Sequence, residues 1–387
     1  MKRKNNAMRL KFILACSLFF VICALGTPAA FADTMLTDRN GEPLTADNFP
    51  YYQLAADTFA ADGAETQLSL DMKLQTEAQR ILEEKLASCG DGAGCAVILD
   101  AGSGAPLALA VCGEGADPLR DSFSPGNLFL PCTALAAFSH GLADADMLIT
   151  CEGAFRRYEQ DGLVPECWIW SAADALPLSH GEESLATALR DSCQYYFYTL
   201  GNDLGIDAMS DYARGLGLGL STGIELPESV GVLASRDCKS ADSPWNIGDT
   251  LEAAVGRSFH AFTPLQLARY CAAIVNDGSL QPASLLAKGD ASEAAAAPEL
   301  SKAFAAVRAG MGARYAPIST HELSATPLYG AGDFAGLSHS DGSAGLFMGF
   351  APADAPHYVI CVAMTGEAAD LHHETALDIL RAALTSE

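Results

Sequence analysis

The chain is short of positive charge. It carries 23 lysines and arginines against 48 aspartates and glutamates, a formal charge of −25 over 387 residues. Five of the cations (Lys2, Arg3, Lys4, Arg9 and Lys11) crowd the first eleven residues, so from residue 33 onward the balance is 18 against 48. A surface of that sign repels phosphate backbones and anionic lipid. It excludes nucleic acid as a partner and leaves membrane contact to the N-terminus alone. Cysteine is not scarce, at 12 residues, but no CxxC pair exists, which argues against a zinc site of the usual spacing. No repeat of solenoid or propeller period is present. Glycine, proline and aromatic usage is ordinary and half of the residues are hydrophobic, which excludes disorder and allows one large core or two smaller ones.

The basic start runs into an apolar stretch from Phe12 to Leu25 and then into Ala30-Phe31-Ala32, just before Asp33. This is the grammar of a cleavable secretory signal over residues 1–32, with an uncleaved membrane anchor as the open alternative. A lipid-modified Cys16 is the lesser alternative, with an apolar run of only four residues, Phe12 to Ala15, before it. Residues 33–66 are polar and turn-rich, centred on Asp38-Arg39-Asn40-Gly41, and read as a short linker or accessory arm. The remainder, 67–387, reads as one domain. Leu74, Ala78, Ile81, Leu82 and Leu86 recur at helical spacing. Cys95–Leu99 and Leu107–Val111 are apolar runs joined by Asp100-Ala101-Gly102-Ser103-Gly104, a hairpin. Helices follow around Leu185–Leu189, Tyr195–Phe197 and Ile206–Leu216. Thr263-Pro264-Leu265-Gln266 is a capping box with proline at the first helical position, which predicts a helix to Val275. Residues 287–299 look like a surface connection. A second hairpin spans Gly345–Ala351 and Tyr358–Met364, and Leu377, Leu380 and Leu384 mark a closing helix. Strands at both ends with helices between predict an α+β fold with one sheet built from distant segments.

Several strings, taken in order, resemble the penicillin-binding protein transpeptidase family. Asp38-Arg39-Asn40-Gly41 is similar to its DRNG turn, and Val97–Asp100 with Leu107–Ala110 to its opening hairpin. Ser124-Pro125-Gly126-Asn127-Leu128-Phe129-Leu130-Pro131 stands where the family has PGSxFKP. Cys151-Glu152-Gly153 with Cys167-Trp168 resembles its CxG…CW segment, and Asp191–Phe197 its QSCNxYF string. Gly248-Asp249-Thr250-Leu251, Gly256 and Thr263–Ala268 resemble GDTL…G…TPLQLA, and Phe347–Pro352 the WFVGFAP strand. The resemblance implies a five-stranded antiparallel sheet flanked by helices, with a mostly helical subdomain and the active site where helix and sheet meet. It implies an extracytoplasmic location, peptidoglycan stem peptides or cell-wall assembly proteins as partners, and neither cofactor nor metal.

The same resemblance exposes three departures. Family members attack through a serine whose SxxK lysine lies one turn along the same helix face and takes its proton. Here Asn127 holds the serine position and Leu130 the lysine position; an amide is no useful nucleophile and an isobutyl group accepts no proton. The second motif, SxN, keeps Ser192 but has Gln194, one methylene longer. The third, KTG, aligns on Gly336 as Leu337-Ser338-His339: the charge is gone, a hydroxyl survives as Ser338, and a bulky His339 replaces glycine. No SxxK, SxN, KTG or KSG exists elsewhere in the chain. Loss of a serine nucleophile alone costs on the order of 10⁶ in turnover. The sequence therefore reads as a pseudoenzyme that binds a stem peptide or a protein partner. The rival reading is an acyltransferase or hydrolase of D,D-transpeptidase or carboxypeptidase type with a non-standard nucleophile drawn from Ser122, Ser124 or the Ser338-His339-Ser340-Asp341 string. Strand alternation would point His339 away from both of its serine neighbours. Cys151 and Cys167, at the ends of one implied surface excursion, are the expected disulfide. Cys132, Cys193 and Cys271 read as buried free thiols, His140 as a capping or surface histidine, and Trp168 and Trp170 as packing residues.

Overall fold

The computed structural model describes residues 35–59, 65–144, 146–171, 177–286, 298–313 and 333–385. The leader, its expected cleavage site and most of the 287–299 connection lie outside them.

The described chain contains nine strands. They are β1 (Leu36–Thr37), β2 (Thr66–Gln67), β3 (Gly94–Asp100), β4 (Pro106–Cys112), β5 (Ile149–Cys151), β6 (Gly181–Glu183), β7 (Ala335–Ser340), β8 (Ala344–Ala351) and β9 (Tyr358–Thr365). Its α-helices are α1 (Tyr52–Phe59), α2 (Met72–Ala87), α3 (Leu130–Ser139), α4 (Leu185–Arg190), α5 (Gln194–Leu204), α6 (Ile206–Gly215), α7 (Ile247–Ala254), α8 (Pro264–Val275), α9 (Pro298–Ala313) and α10 (His372–Thr385). Five strands form one sheet in the order β4-β3-β9-β8-β7, every neighbouring pair antiparallel. The fold is α+β, with the five-stranded antiparallel sheet the resemblance implied.

The sheet divides the apolar interior in two. Along β9, Val359, Cys361 and Ala363 face the helical side, where they join Leu130, Leu135 and Tyr270. Ile360, Val362 and Met364 face the opposite side and pack with Leu74, Ile81, Leu377 and Leu380 of α2 and α10. Successive side chains of a strand point to opposite faces. With both faces covered, the strand reads in sequence as an unbroken apolar run rather than an alternation.

Local signals hold where they are strong. Thr263 Oγ1 accepts from Gln266 N at 3.2 Å while Gln266 Oε1 accepts from Thr263 N at 3.1 Å, and the helix ends at Val275. The Gln266 amide also donates to Leu220 O and Val230 O, at 2.8 and 2.9 Å, so one buried side chain both caps α8 and anchors two loops.

The arm before the domain is packed against it. Leu36, Leu44, Phe49 and Ala55 join the main apolar cluster, and β1 pairs in parallel with β2. Its turn is organised by the buried Asp38. The carboxylate accepts from Asn40 N at 2.7 Å and Glu42 N at 2.9 Å, and its second oxygen accepts from Met72 N at 3.0 Å, at the start of α2. Among the described residues, no helix is long and apolar enough to cross a membrane.

Candidate functional site

A 3₁₀ turn, Gly126–Phe129, leads directly into α3, with Pro131 in its first turn, where a missing N–H costs nothing. This turn brings Asn127 beside the edge strand β7. Gly126 (φ +47°) approaches so closely that a Cβ built on it would lie 2.3–2.4 Å from the His339 ring. From behind, Gly256 (φ +76°) presses on the same residue, and its Cβ would lie 2.0 Å from Gly126 O. Gly126 N donates to Gly256 O at 3.0 Å. Glycine suits both positions: a Cβ on Gly256 would strike the Gly126 backbone, one on Gly126 would strike the His339 ring, and the left-handed φ penalises a side chain at either. Gly256 is thus the packing partner of Gly126, which the sequence reading left as one letter of a family string.

The structure brings first- and third-motif positions together. Asn127 Nδ2 donates to Ser338 O at 3.4 Å, spanning the gap between helix start and edge strand. Leu130 and Leu337, where the resemblance has two lysines, are both fully buried in one apolar cluster. His339 lies against Gly126, and its ring stays neutral to lower pH than an ordinary histidine because burial disfavours the cation. It lies on the opposite face of β7 from its neighbours Ser338 and Ser340. Ser124 Oγ donates to Gly256 O at 3.3 Å, a structural bond to the loop behind.

The second-motif positions are held from another side. Ser192 adopts φ +51° at the turn before α5 and is buried. Gln194 Oε1 accepts from Trp168 N at 2.9 Å, and Trp168 Nε1 donates to Asp191 O at 2.9 Å. The longer amide is therefore committed to the Cys167-Trp168 segment. Trp170 covers Gly153, and Arg156 lies 5.6 Å above the Trp170 ring. His140 caps α3, with Nδ1 2.9 Å from Ala136 O.

All ten cysteines among the described residues are free thiols, Cys151 and Cys167 of the expected bridge among them. The two thiols do face each other, but Cys193 and His180 share the space: one donor atom from each of the four residues lies within 4.8 Å of the others. His180 Nδ1 is 3.5 Å from Cys167 Sγ and 3.7 Å from Cys151 Sγ. Hydrogen bonds from Cys151 and then Cys193 hold Cys167 far below the ordinary thiol range. The argument from absent CxxC spacing missed this cluster because its members come from four separate segments: the end of β5, the loop before Trp168, the residue before β6 and the cap of α5. Cys132 and Cys271 are the buried free thiols they read as, raised by desolvation.

The family model described as the penicillin binding protein transpeptidase domain matches residues 94–384. The peptidoglycan D,D-transpeptidase MrdA of Acinetobacter baumannii is 31% identical over 160 residues, which are 41% of this chain and 23% of that protein. Crystalline Pseudomonas aeruginosa PBP2 superposes with a TM-score of 0.72 at 19% identity, covering 92% of this chain and 95% of that one. A Helicobacter pylori PBP2 in complex with MreC gives 0.65 at 21% identity, covering 84% and 64%. The chain thus spans about a quarter of the length of the A. baumannii relative, and the likeness to the solved structures is one of fold.

Proposed function

Because the chain belongs to the penicillin-binding protein transpeptidase domain family, we propose that it is a non-catalytic member. In this proposal it serves peptidoglycan assembly outside the cytoplasmic membrane by binding a protein partner through the retained fold. One observation carries the reading: both lysine positions of the cleft are leucines fully buried in a common cluster, while His339 sits against Gly126 where close approach of a ligand backbone would be required. A serine acyl-enzyme needs a nucleophile, a base and a stabilised oxyanion in one wet pocket. Here the nucleophile position is an amide and the base position has been absorbed into hydrocarbon.

The choice of a protein partner over a stem peptide rests on charge. A D-alanyl carboxylate would meet no cation at position 337, and the remaining surface is strongly acidic. That MreC accompanies a solved PBP2 of the same fold favours an assembly protein. The stem peptide remains the second reading, supported by the hydroxyls of Ser192 and Ser338.

Incubation with a fluorescent penicillin, followed by intact mass, tests the proposal, with no adduct expected. A stoichiometric adduct mapped to any serine would restore the enzymatic reading. Export through residues 1–32 belongs to the same proposal, and N-terminal mass analysis of the native protein should give Asp33. An intact Met1 in the membrane fraction would make the segment an anchor.

A further inference from the structure

We propose that Cys151, Cys167, His180 and Cys193 form a closed Cys₃His zinc site that clamps the turn carrying Ser192 and Gln194. The inference is independent of whether the cleft is catalytic.

The geometry decides between a metal and its alternatives. Zinc binds thiolate at about 2.3 Å and imidazole at about 2.0–2.1 Å, so tetrahedral ligands stand about 3.8 Å apart for two sulfurs and about 3.6 Å for nitrogen and sulfur. The imidazole here lies 3.5 and 3.7 Å from two sulfurs, through the nitrogen that faces them, and all four donors fall within 4.8 Å. A disulfide would bring two sulfurs to about 2.05 Å and leave a third thiol and an imidazole buried without function. The three sulfurs are almost completely buried, so no solvent position remains open. Four protein ligands with no open position mark a structural rather than a catalytic metal. Soft thiolates exclude magnesium and calcium, and the S₃N set in tetrahedral array selects zinc.

Binding is balanced by proton release: each thiol that coordinates gives its proton to solvent, and the neutral imidazole gives its lone pair. Three thiolates and one Zn²⁺ leave a single net negative charge. Cys193 is the N-cap residue of α5, so the helix dipole stabilises that charge.

The position of the clamp gives it a role. β5 and β6 pair with Cys151 opposite Gly181, the residue after His180. Cys167 precedes the tryptophan whose N–H holds Gln194, and Cys193 lies between Ser192 and Gln194. One ion would tie the hairpin, the Trp168 segment and the start of α5 to one point. It would fix Ser192 at its left-handed φ of 51°.

The test uses the full chain purified without chelator. Elemental analysis should find one zinc per chain, and cobalt substitution should give the visible bands of a tetrahedral site with thiolate-to-cobalt charge transfer in the near ultraviolet. Cys167→Ser should lose the metal, lower the melting temperature by several degrees and leave it insensitive to chelator. His180→Gln, at the least buried of the four positions, should weaken zinc retention at least tenfold while the protein stays folded. Zinc-free protein overturns the proposal, whether its mass shows intact thiols or a disulfide's loss of two hydrogens. Zinc retained unchanged in both variants overturns it as well, since the metal would then sit elsewhere.

Discussion

Restoring the first motif is the sharpest test of how deeply the cleft has been rebuilt. In the Asn127→Ser, Leu130→Lys double variant, the new lysine would replace a side chain that is fully buried and shares its cluster with Leu337. Loss of the leucine's burial removes about 2–3 kcal/mol, and taking an unpaired ammonium out of water costs several more. The sum is a large fraction of the roughly 5–15 kcal/mol that holds an ordinary domain together. Urea melts should therefore show Asn127→Ser near the parent and Leu130→Lys severely destabilised. Fluorescent penicillin should label neither variant, nor the double variant, because Leu337 and His339 still deny the ligand a cation and a close backbone approach. Rapid stoichiometric acylation of a double variant whose melt matches the parent would refute the reasoning. It would mean that the buried site of Leu130 yields readily and that the third motif is dispensable.

Two further predictions rest on contacts described above. Gly126→Ala should destabilise by several kcal/mol, and His339→Gly should recover the steric part but not the cost of φ +47°, so a double-mutant cycle should show coupling above about 0.5 kcal/mol; additivity would mean the imidazole does not occupy that space. His260 is fully buried against Phe129, and desolvation pushes its pKa down to about 3. The unfolded histidine protonates near 6.5, so its contribution is complete above that pH and is lost as pH falls toward 3. His260→Gln should flatten the acid limb of stability by about 1.4 kcal/mol per pH unit within that window, and an unchanged limb would refute the assignment.

Much of this fold is readable in the residues because its signals are local. The α8 box, the two hairpins and the amphipathic faces of α2 and α10 each declare themselves within a dozen positions, and the structure holds them close to the expected bounds. α9 went unread, with its first two residues taken for connection. Its sequence, PELSKAFAAVRAGMGA, is rich in alanine and glycine and packs on α3, α4 and β7, so no single apolar stripe appears. The arm read as linker because its sequence is polar and turn-rich, yet Leu36, Leu44, Phe49 and Ala55 find places in the core. The motif departures were legible by position, but not that both leucines would be fully buried or that Gln194 would turn to Trp168. Those are products of tertiary packing. The Cys₃His cluster marks the limit: each ligand lies more than a dozen residues from the next, beyond the reach of any spacing rule.

The Asp38 turn has a mechanical consequence. A single carboxylate grips the turn's own backbone and the first amide of α2, so arm and domain share a joint with no free rotation. A displacement applied to the arm passes through that joint to α2, and from α2 to the face of the sheet it covers. Replacing Asp38 with alanine would loosen that joint at the turn and leave the arm held by its β1–β2 pairing and by Leu36, Leu44, Phe49 and Ala55 in the core.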